Sequence, residues 1–202
     1  MPKPEEFTPT WCEQEAPSRS WRSLFKYGDP GGFKHPNRGL YKLIKEAFRL
    51  TDSDFQKPAL KMELFDKEIP VRLAAKHITA LAKMVGKGNS HSESYLRTRA
   101  SYGAGMLDAL RLRDQIVENI PDLVLWPRSQ EDVEKIVSYC DKQRIPIYIY
   151  GGGSTVTRGM EAVRRGVCLD MSIHQNKVIA FNEVNHTITV QAGMWGPELE
   201  RI

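Results

Sequence analysis

The chain has 202 residues, a length that allows one domain or two small ones. Hydrophobic residues make up 41% of it and charged residues 27%, which excludes an intrinsically disordered protein. With 29 Lys and Arg against 25 Asp and Glu, the net charge is only +4 and the basic residues are scattered, so nucleic-acid binding is not indicated.

The cysteines and the N-terminus bear on the cellular compartment. Cys12, Cys140 and Cys168 are widely spaced and form no CxxC pair, which argues against a disulfide framework or a zinc site and fits a reducing compartment. No apolar run approaches the roughly 18 residues of a membrane span, and residues 1–17 are polar and rich in proline, unlike a secretory signal. We therefore expect a cytoplasmic protein in which residues 1–20 are a flexible lead-in.

Residues 21–120 are predicted to be mainly helical. Apolar side chains recur at helical spacing in two stretches, namely Leu40, Leu43, Ile44, Ala47 and Phe48, and Val71, Ala74, Ala75, Ile78, Leu81, Ala82 and Val85. Ser90 and Glu93 have the spacing of a capping box for a third helical segment. Four arginines follow in that segment, at Arg97, Arg99, Arg111 and Arg113. They are interpreted either as a solvated face or as a group of which some face an anionic ligand.

The second half of the chain begins with a predicted strand, helix and strand. Residues 123–126 are a compact apolar run closed by Pro127, and Ser129 has the chemistry of a helix N-cap. The helical stripe after it contains Cys140, which is expected in the core rather than as a nucleophile. The β-branched and aromatic residues 147–150 predict a short buried strand. Short joints between these elements predict a βαβ unit with parallel strands and a right-handed crossover.

The strand at 147–150 runs directly into three consecutive glycines, Gly151–Gly153, which are the strongest functional signal in the sequence. Glycines leave backbone N–H groups uncovered and can adopt positive φ, so the loop can form a nest of amide dipoles for a phosphate or pyrophosphate. Ser154 and Thr155 add hydroxyl donors. No Lys follows the glycines, which excludes a P-loop, and Val156 stands where a Rossmann fingerprint needs glycine. The alternative is an ordinary tight turn that needs glycine only for its geometry.

Further strands complete the predicted α+β fold. Residues 167–171 form one apolar strand, while 178–184 and 187–192 are expected to pair as a hairpin around a two-residue turn, Asn185-His186. Gly196-Pro197-Glu198 begins a helix, and the chain ends a few residues later. An isolated helix of that length would be marginal, so we expect a truncated protein.

The order of these motifs resembles the start of a family of flavoproteins. The run Pro-Asp-Leu-Val-Leu-Trp-Pro at 121–127, the helix after it, the loop at 151–156, and the segments at 191–193 and 198–200 occur in the order found in the FAD-binding domain of the PCMH or vanillyl-alcohol-oxidase class. The similarity is greatest to the alkyldihydroxyacetonephosphate synthase subgroup and its bacterial FAD-linked oxidase relatives. It extends over about residues 21–202.

The resemblance implies a mainly helical region at 21–120 and the first α/β lobe of a PCMH-type FAD-binding domain at 121–202. It also implies FAD, with its pyrophosphate on the glycine loop. The residues implied to bind the cofactor are Ile149, Tyr150, Gly151, Gly152, Gly153, Ser154 and Thr155, with Pro127 near the adenine end. Some relatives attach FAD through a His directly after the glycines. Ser154 and Thr155 occupy those positions here, so non-covalent FAD is expected.

The resemblance leaves several functions open. The chain is interpreted as the N-terminal FAD-binding portion of an oxidoreductase, or of an alkylglycerone-phosphate-synthase-like transferase, acting on a small molecule such as a 2-hydroxy acid or an acyl-dihydroxyacetone phosphate. The alternatives are a non-catalytic fragment that folds without retaining FAD and, on the glycine loop alone, a general nucleotide-binding module. The second FAD lobe, the substrate-binding cap and the catalytic residues would lie beyond Ile202, so no catalytic residue is assigned and no metal is expected. The chain itself is expected to be inactive and free of flavin, and to self-associate, for instance as a homodimer.

Overall fold

The structure is a computed structural model that describes residues 19–20, 22–24, 38–55 and 67–202. Nearly all of the predicted lead-in at 1–20 lies outside the described residues. The helices are α1 Arg38–Phe48, α2 Ala75–Val85, α3 Ser94–Arg99, α4 Met106–Arg113, α5 Gln130–Gln143 and α6 Gly196–Leu199, with short 3-10 turns at Arg22–Leu24 and Asp52–Phe55. The strands are β1 Ser90–His91, β2 Leu123–Leu125, β3 Ile147–Tyr150, β4 Val167–Asp170, β5 Val178–Asn182 and β6 Thr187–Val190. The predicted α+β class is confirmed.

A four-stranded sheet of order β1-β2-β4-β3 organises the fold. Strands β2 and β3 both pair in parallel with β4, so the parallel arrangement predicted for the βαβ unit is confirmed. Strand β4 lies between them, and β1 adds an antiparallel edge to β2. The carboxyl ends of the three parallel strands therefore share one edge of the sheet, where ligands of open α/β sheets bind.

Both faces of this sheet are covered. On one face, buried side chains from α2, the sheet and α5 form a single core that consists of Leu81, Val85, Leu123, Leu125, Ile136, Cys140, Val167 and Leu169. The opposite face packs Val124, Tyr150 and Cys168 against Ala100, Ala104 and Met160. Cys140 lies in the first core, as expected, and burial raises the pKa of its thiol to about 11. The first core combines residues from both sides of position 120, and the division of the chain there stays a prediction.

The α5 N-terminus has the predicted cap. The hydroxyl of Ser129 accepts a hydrogen bond from the backbone N–H of Asp132 at 3.2 Å. The capping box predicted at Ser90 and Glu93 is wrong, because Ser90 lies in β1 and pairs with Leu125. Glu93 is instead the N-cap residue of α3, and its side chain makes no capping hydrogen bond. The predicted third helical segment is divided into α3 and α4.

The arginine-rich segment is only partly solvated. Arg97 is fully buried. It donates hydrogen bonds to the carbonyl oxygens of Pro121 and Ile69, both at 2.7 Å, and lies 3.8 Å from the carboxylate of Asp122. The interpretation as a solvated face is therefore wrong for Arg97, although it holds for Arg113, whose side chain is 42% exposed. All of these contacts of Arg97 are with groups of the protein. They join the region before residue 120 to the residues just before β2.

The β5–β6 hairpin forms a separate two-stranded sheet. Its strands close at the pair Asn182 and Thr187, so four residues connect them and the predicted two-residue turn is wrong. The side chain of Asn182 accepts a hydrogen bond from the backbone N–H of Asn185 at 2.9 Å, which stabilises this wider turn. His186 adopts a positive φ of 48° at its end.

Among the described residues, the longest apolar helical stretches are too short to cross a bilayer, and no membrane-spanning helix is found.

Candidate functional site

The glycine loop begins where β3 leaves the sheet. The carbonyl of Tyr150 accepts a hydrogen bond from the backbone N–H of Met171 at 2.8 Å, and no further pairing with β4 follows. Tyr150 is buried, and this burial raises the pKa of its hydroxyl to about 12, against the opposite effect of the nearby Arg99. Ile149 is 58% exposed, so the prediction of a buried strand is wrong at this position. The reason is that β3 is an edge strand of the sheet.

Each of the three glycines meets a different physical requirement. A Cβ on Gly151 would lie 2.9 Å from the carbonyl oxygen of Ala192, so a larger residue would clash with backbone. A Cβ on Gly152 would meet no atom within 4 Å, so this glycine leaves open space in front of the loop. Gly153 has a φ of 68°, in the left-handed region that favours glycine. Positive φ, predicted for the loop in general, is thus found only at Gly153.

The segment after the glycines carries the predicted hydroxyl groups. Ser154 is exposed and Thr155 half-buried. The hydroxyls of Thr155 and Thr157 lie 3.1 Å apart and hydrogen-bond with each other. Arg158, the cationic side chain that follows the loop most closely, forms an ion pair with the buried Glu161. Its charge is therefore already paired within the protein. An anion at this loop would therefore meet mainly backbone N–H groups and hydroxyls.

Pro127 lies at the same edge of the sheet as the glycine loop but not beside it. It follows β2, and because β4 separates β2 from β3, two strand spacings of about 4.8 Å each divide the two sites. Polar side chains connect them: Gln175 reaches the carbonyl oxygen of Pro127 at 3.5 Å and accepts a hydrogen bond from Gln191 at 3.0 Å. Gln191 precedes the segment that contacts Gly151. A ligand that touched both Pro127 and the loop would lie across the end of β4.

Gly193 belongs to this edge as well, although spacing alone does not reveal its role. A Cβ there would lie 2.1 Å from the carbonyl oxygen of Met171. Its backbone N–H donates to the carbonyl of Gln175 at 2.7 Å. Gly193 thereby allows residues 191–193 to approach both the exit of β4 and Gly151. The sequence signal that pointed to it was the Gln-Ala-Gly segment of the family resemblance.

Comparison with known proteins identifies the class to which this lobe corresponds. Residues 121–202 match the family model described as an FAD binding domain. The resemblance to FAD-binding flavoproteins is thereby confirmed, and FAD is the cofactor that this domain family binds. The match begins at the residue where the predicted lobe begins.

Three relatives illustrate the similarity. Alkyldihydroxyacetonephosphate synthase from Dictyostelium discoideum is 36% identical over 108 residues, which are 52% of this chain and 18% of that protein. The mitochondrial D-lactate dehydrogenase [cytochrome] from Arabidopsis thaliana is 38% identical over 81 residues, which are 40% of this chain and 14% of that protein. A solved structure of an alkyldihydroxyacetonephosphate synthase superposes with a TM-score of 0.61 at 30% identity and covers 66% of this chain and 27% of that one. The matched part of this chain thus spans less than a fifth of either curated relative.

Proposed function

We propose that this chain is the N-terminal FAD-binding portion of a FAD-dependent enzyme, and that the Gly151–Gly153 loop holds the cofactor's pyrophosphate. The observation that carries the proposal is the open space in front of Gly152, next to the positive φ of Gly153, at the carboxyl edge of a parallel sheet. A loop with uncovered N–H groups at this position suits a diphosphate. The residues present fit the pyrophosphate of FAD, because the space in front of Gly152 is open and a side chain there would fill it.

The other assigned residues have supporting roles in this proposal. Ile149 and Tyr150 end β3 and hold the first glycine in place, while Ser154 and Thr155 supply hydroxyl donors after the loop. Pro127 is assigned to the adenine end of the cofactor, across β4. Neither position after the glycines is a His, so the cofactor is held at this loop without a covalent bond. When bound, FAD supplies the redox or carbon-centred chemistry, and this lobe supplies its binding and orientation.

An alkyldihydroxyacetonephosphate-synthase-like enzyme is the better supported of the two enzyme classes. The segments that match the FAD binding domain and the D-lactate dehydrogenase are each about two fifths of the chain, whereas the synthase from Dictyostelium discoideum matches 52% of it. That similarity must therefore extend into the helical region before residue 121. A D-2-hydroxy-acid oxidase or dehydrogenase is the second candidate, supported by the D-lactate dehydrogenase that is 38% identical over 81 residues. The substrate is in either case a small molecule.

A non-catalytic fragment is the alternative from another class. It is supported by the small share of the relatives that this chain spans, 18% and 14% for the two curated proteins. In that case the chain purifies without flavin and shows no turnover. A visible absorption spectrum of the purified chain separates the two states, because bound flavin absorbs visible light and the protein alone does not.

Gly152→Val tests the pyrophosphate loop directly. A Cβ at this position meets no protein atom within 4 Å, so the Val side chain should enter the open space in front of the loop and leave the fold intact. The affinity for FAD and for ADP should fall at least tenfold, or by about 1.4 kcal/mol. Gly153 is less suitable, because its positive φ would add strain to any substitution.

The measurement is a titration of the 15N-labelled chain with FAD and with ADP to millimolar concentration, in which the amide signals of Gly151–Gly153 report binding. Gly196→Val is the matched control, since a Cβ at Gly196 also meets nothing within 4 Å and Val has a higher helix propensity than Gly. Equal affinities in Gly152→Val and the wild type would refute the assignment of the loop.

A further inference from the structure

Gln175 lies at the carboxyl edge of the parallel sheet, in contact with the segments that leave two of its strands. Its backbone N–H donates a hydrogen bond to the carbonyl oxygen of Met171, the first residue after β4, at 2.9 Å. Its side-chain amide nitrogen lies 3.5 Å from the carbonyl oxygen of Pro127, two residues after the end of β2. This one residue therefore connects the exits of β4 and β2.

The connection to the exit of β3 runs through the segment that follows β6. The side-chain oxygen of Gln175 accepts a hydrogen bond from the side-chain amide of Gln191 at 3.0 Å. Its backbone carbonyl accepts another from the N–H of Gly193 at 2.7 Å. Ala192 stands between these two residues, and its carbonyl oxygen would lie 2.9 Å from a Cβ on Gly151. Gln175 thus holds both ends of the short segment whose middle residue rests on the first glycine of the loop.

The burial of Gln175 indicates how it would act on a ligand. It is 7% exposed, and both its backbone groups and both its side-chain polar atoms are engaged within the protein. It can therefore influence a ligand through the position of its neighbours. Pro127 and the glycine loop are two strand spacings apart, roughly 10 Å. Two contacts made by one ligand reinforce each other only when their spacing matches the ligand.

We propose that Gln175 is a positioning residue that sets the spacing between Pro127 and the glycine loop, so that a nucleoside diphosphate contacts both at once. The proposal rests on the proposed function, which assigns the pyrophosphate to Gly151–Gly153 and the adenine end to Pro127. It adds a second role for the β5–β6 hairpin. Gln191 directly follows β6 and forms the other half of the amide pair, so the hairpin helps to fix the cofactor site.

Two variants break the amide pair from its two sides. Gln175→Met removes both side-chain contacts but keeps nearly the same volume, and the backbone bonds of residue 175 remain. Gln191→Met removes the same bond from the half-buried partner, together with the bond that Gln191 accepts from the N–H of Lys177 at 3.0 Å. Gln130→Met is the matched control, since it makes the same chemical change at an exposed residue of α5 whose amide bonds to Glu134.

The probes are ADP, which can reach both contacts, and inorganic pyrophosphate, which can occupy the loop alone. Affinities are measured on the 15N-labelled 202-residue chain, with the amide signals of Gly151–Gly153 as reporters. We expect ADP to bind the wild type more tightly than pyrophosphate does. The ratio of the two affinities should fall at least threefold in Gln175→Met and in Gln191→Met and stay unchanged in Gln130→Met. A residue that only stabilised the fold would affect both probes alike and leave the ratio as it is.

The outcomes separate the positioning role from the loop. If pyrophosphate binds the wild type but Gln175→Met lowers the affinity ratio less than threefold, the positioning role is overturned while the loop stands. Wild-type affinity for ADP no higher than for pyrophosphate also overturns it, because the adenine side would then add nothing. If pyrophosphate does not bind the wild type at millimolar concentration, the loop assignment fails and the positioning role fails with it. Should Gln175→Met not fold, Gln191→Met decides by the same ratio.

Discussion

The buried guanidinium of Arg97 is predicted to be among the most important single side chains for stability. It has no exposed surface, and it donates to the carbonyl oxygens of Pro121 and Ile69 at 2.7 Å. Hydrogen bonds to a charged group contribute about 1.5–3 kcal/mol each, so these two bonds together contribute roughly 3–6 kcal/mol. Asp122 keeps other partners after the loss of Arg97, including the backbone N–H of Arg72 at 2.9 Å, which favours the lower half of this range.

Arg97→Ala should therefore lower the free energy of unfolding by about 3–5 kcal/mol, as expected when one partner of a buried charged network is removed. For a chain of this size, at about 2–4 °C per kcal/mol, the melting temperature should fall by roughly 10 °C. Arg97→Lys should be nearly as harmful, since an ammonium group cannot reproduce the planar fork that reaches both carbonyls.

Urea unfolding followed by circular dichroism measures both effects. Arg113→Ala is the matched control: the same chemical change at a side chain that is 42% exposed should leave the urea midpoint unchanged within error. A loss of less than about 1 kcal/mol in Arg97→Ala would refute the reasoning, because it would mean that the freed carbonyls find other donors at little cost.

Two further predictions concern alkaline pH and the hairpin. Burial raises the pKa of Cys140 from 9.0 to about 11 and that of Tyr150 from 10.0 to about 12, so the unfolded chain loses these protons first. The free energy of unfolding should then fall as the pH rises from about 9 to 12. Cys140→Ala and Tyr150→Phe should each flatten that slope in urea titrations at several pH values, and an unchanged slope in both would contradict the assignment. On the hairpin, Ile179 is 63% and Phe181 65% exposed, so the chain should self-associate with rising concentration in sedimentation velocity. Changing both to Lys should yield a monomer and changing the exposed Val163 should not; association that persists in the double variant would place the contact elsewhere.

The sequence predicts the strands and helices of the lobe well, because each one has a strong local signal. The apolar run at 123–126 becomes β2, and the Ser129 cap begins α5 as predicted. Both depend on residues within a few positions of each other. The hairpin turn is an instructive exception, because the side chain of Asn182 hydrogen-bonds to the backbone of Asn185 and widens the loop. Competition between such side-chain bonds and the tightest turn is not visible in a strand pattern.

The burial of single side chains follows from pairing order, which local patterns do not contain. β3 has the composition of a central strand, yet Ile149 is exposed because β3 lies at the edge of the sheet. Arg97 shows the converse. One arginine among four at similar spacing is buried, because carbonyl groups of residues 69 and 121 converge on its position. Neither carbonyl belongs to α3, so helical periodicity carries no information about this contact.

The glycine loop combines what the sequence can and cannot predict. Three glycines after a strand indicate a phosphate site, but they do not reveal that each is required for a different reason. Gly151 is fixed by the carbonyl of Ala192, some forty positions later, and Gly153 by its own φ. Both are needed for the loop to fold as it does. Only Gly152 leaves open space without an obvious structural need, and the cost of leaving a backbone uncovered there is recovered if a ligand occupies the space. Gly152 is therefore the position at which a structural turn and a binding loop make opposite predictions: a turn tolerates a side chain there, and a pyrophosphate site does not.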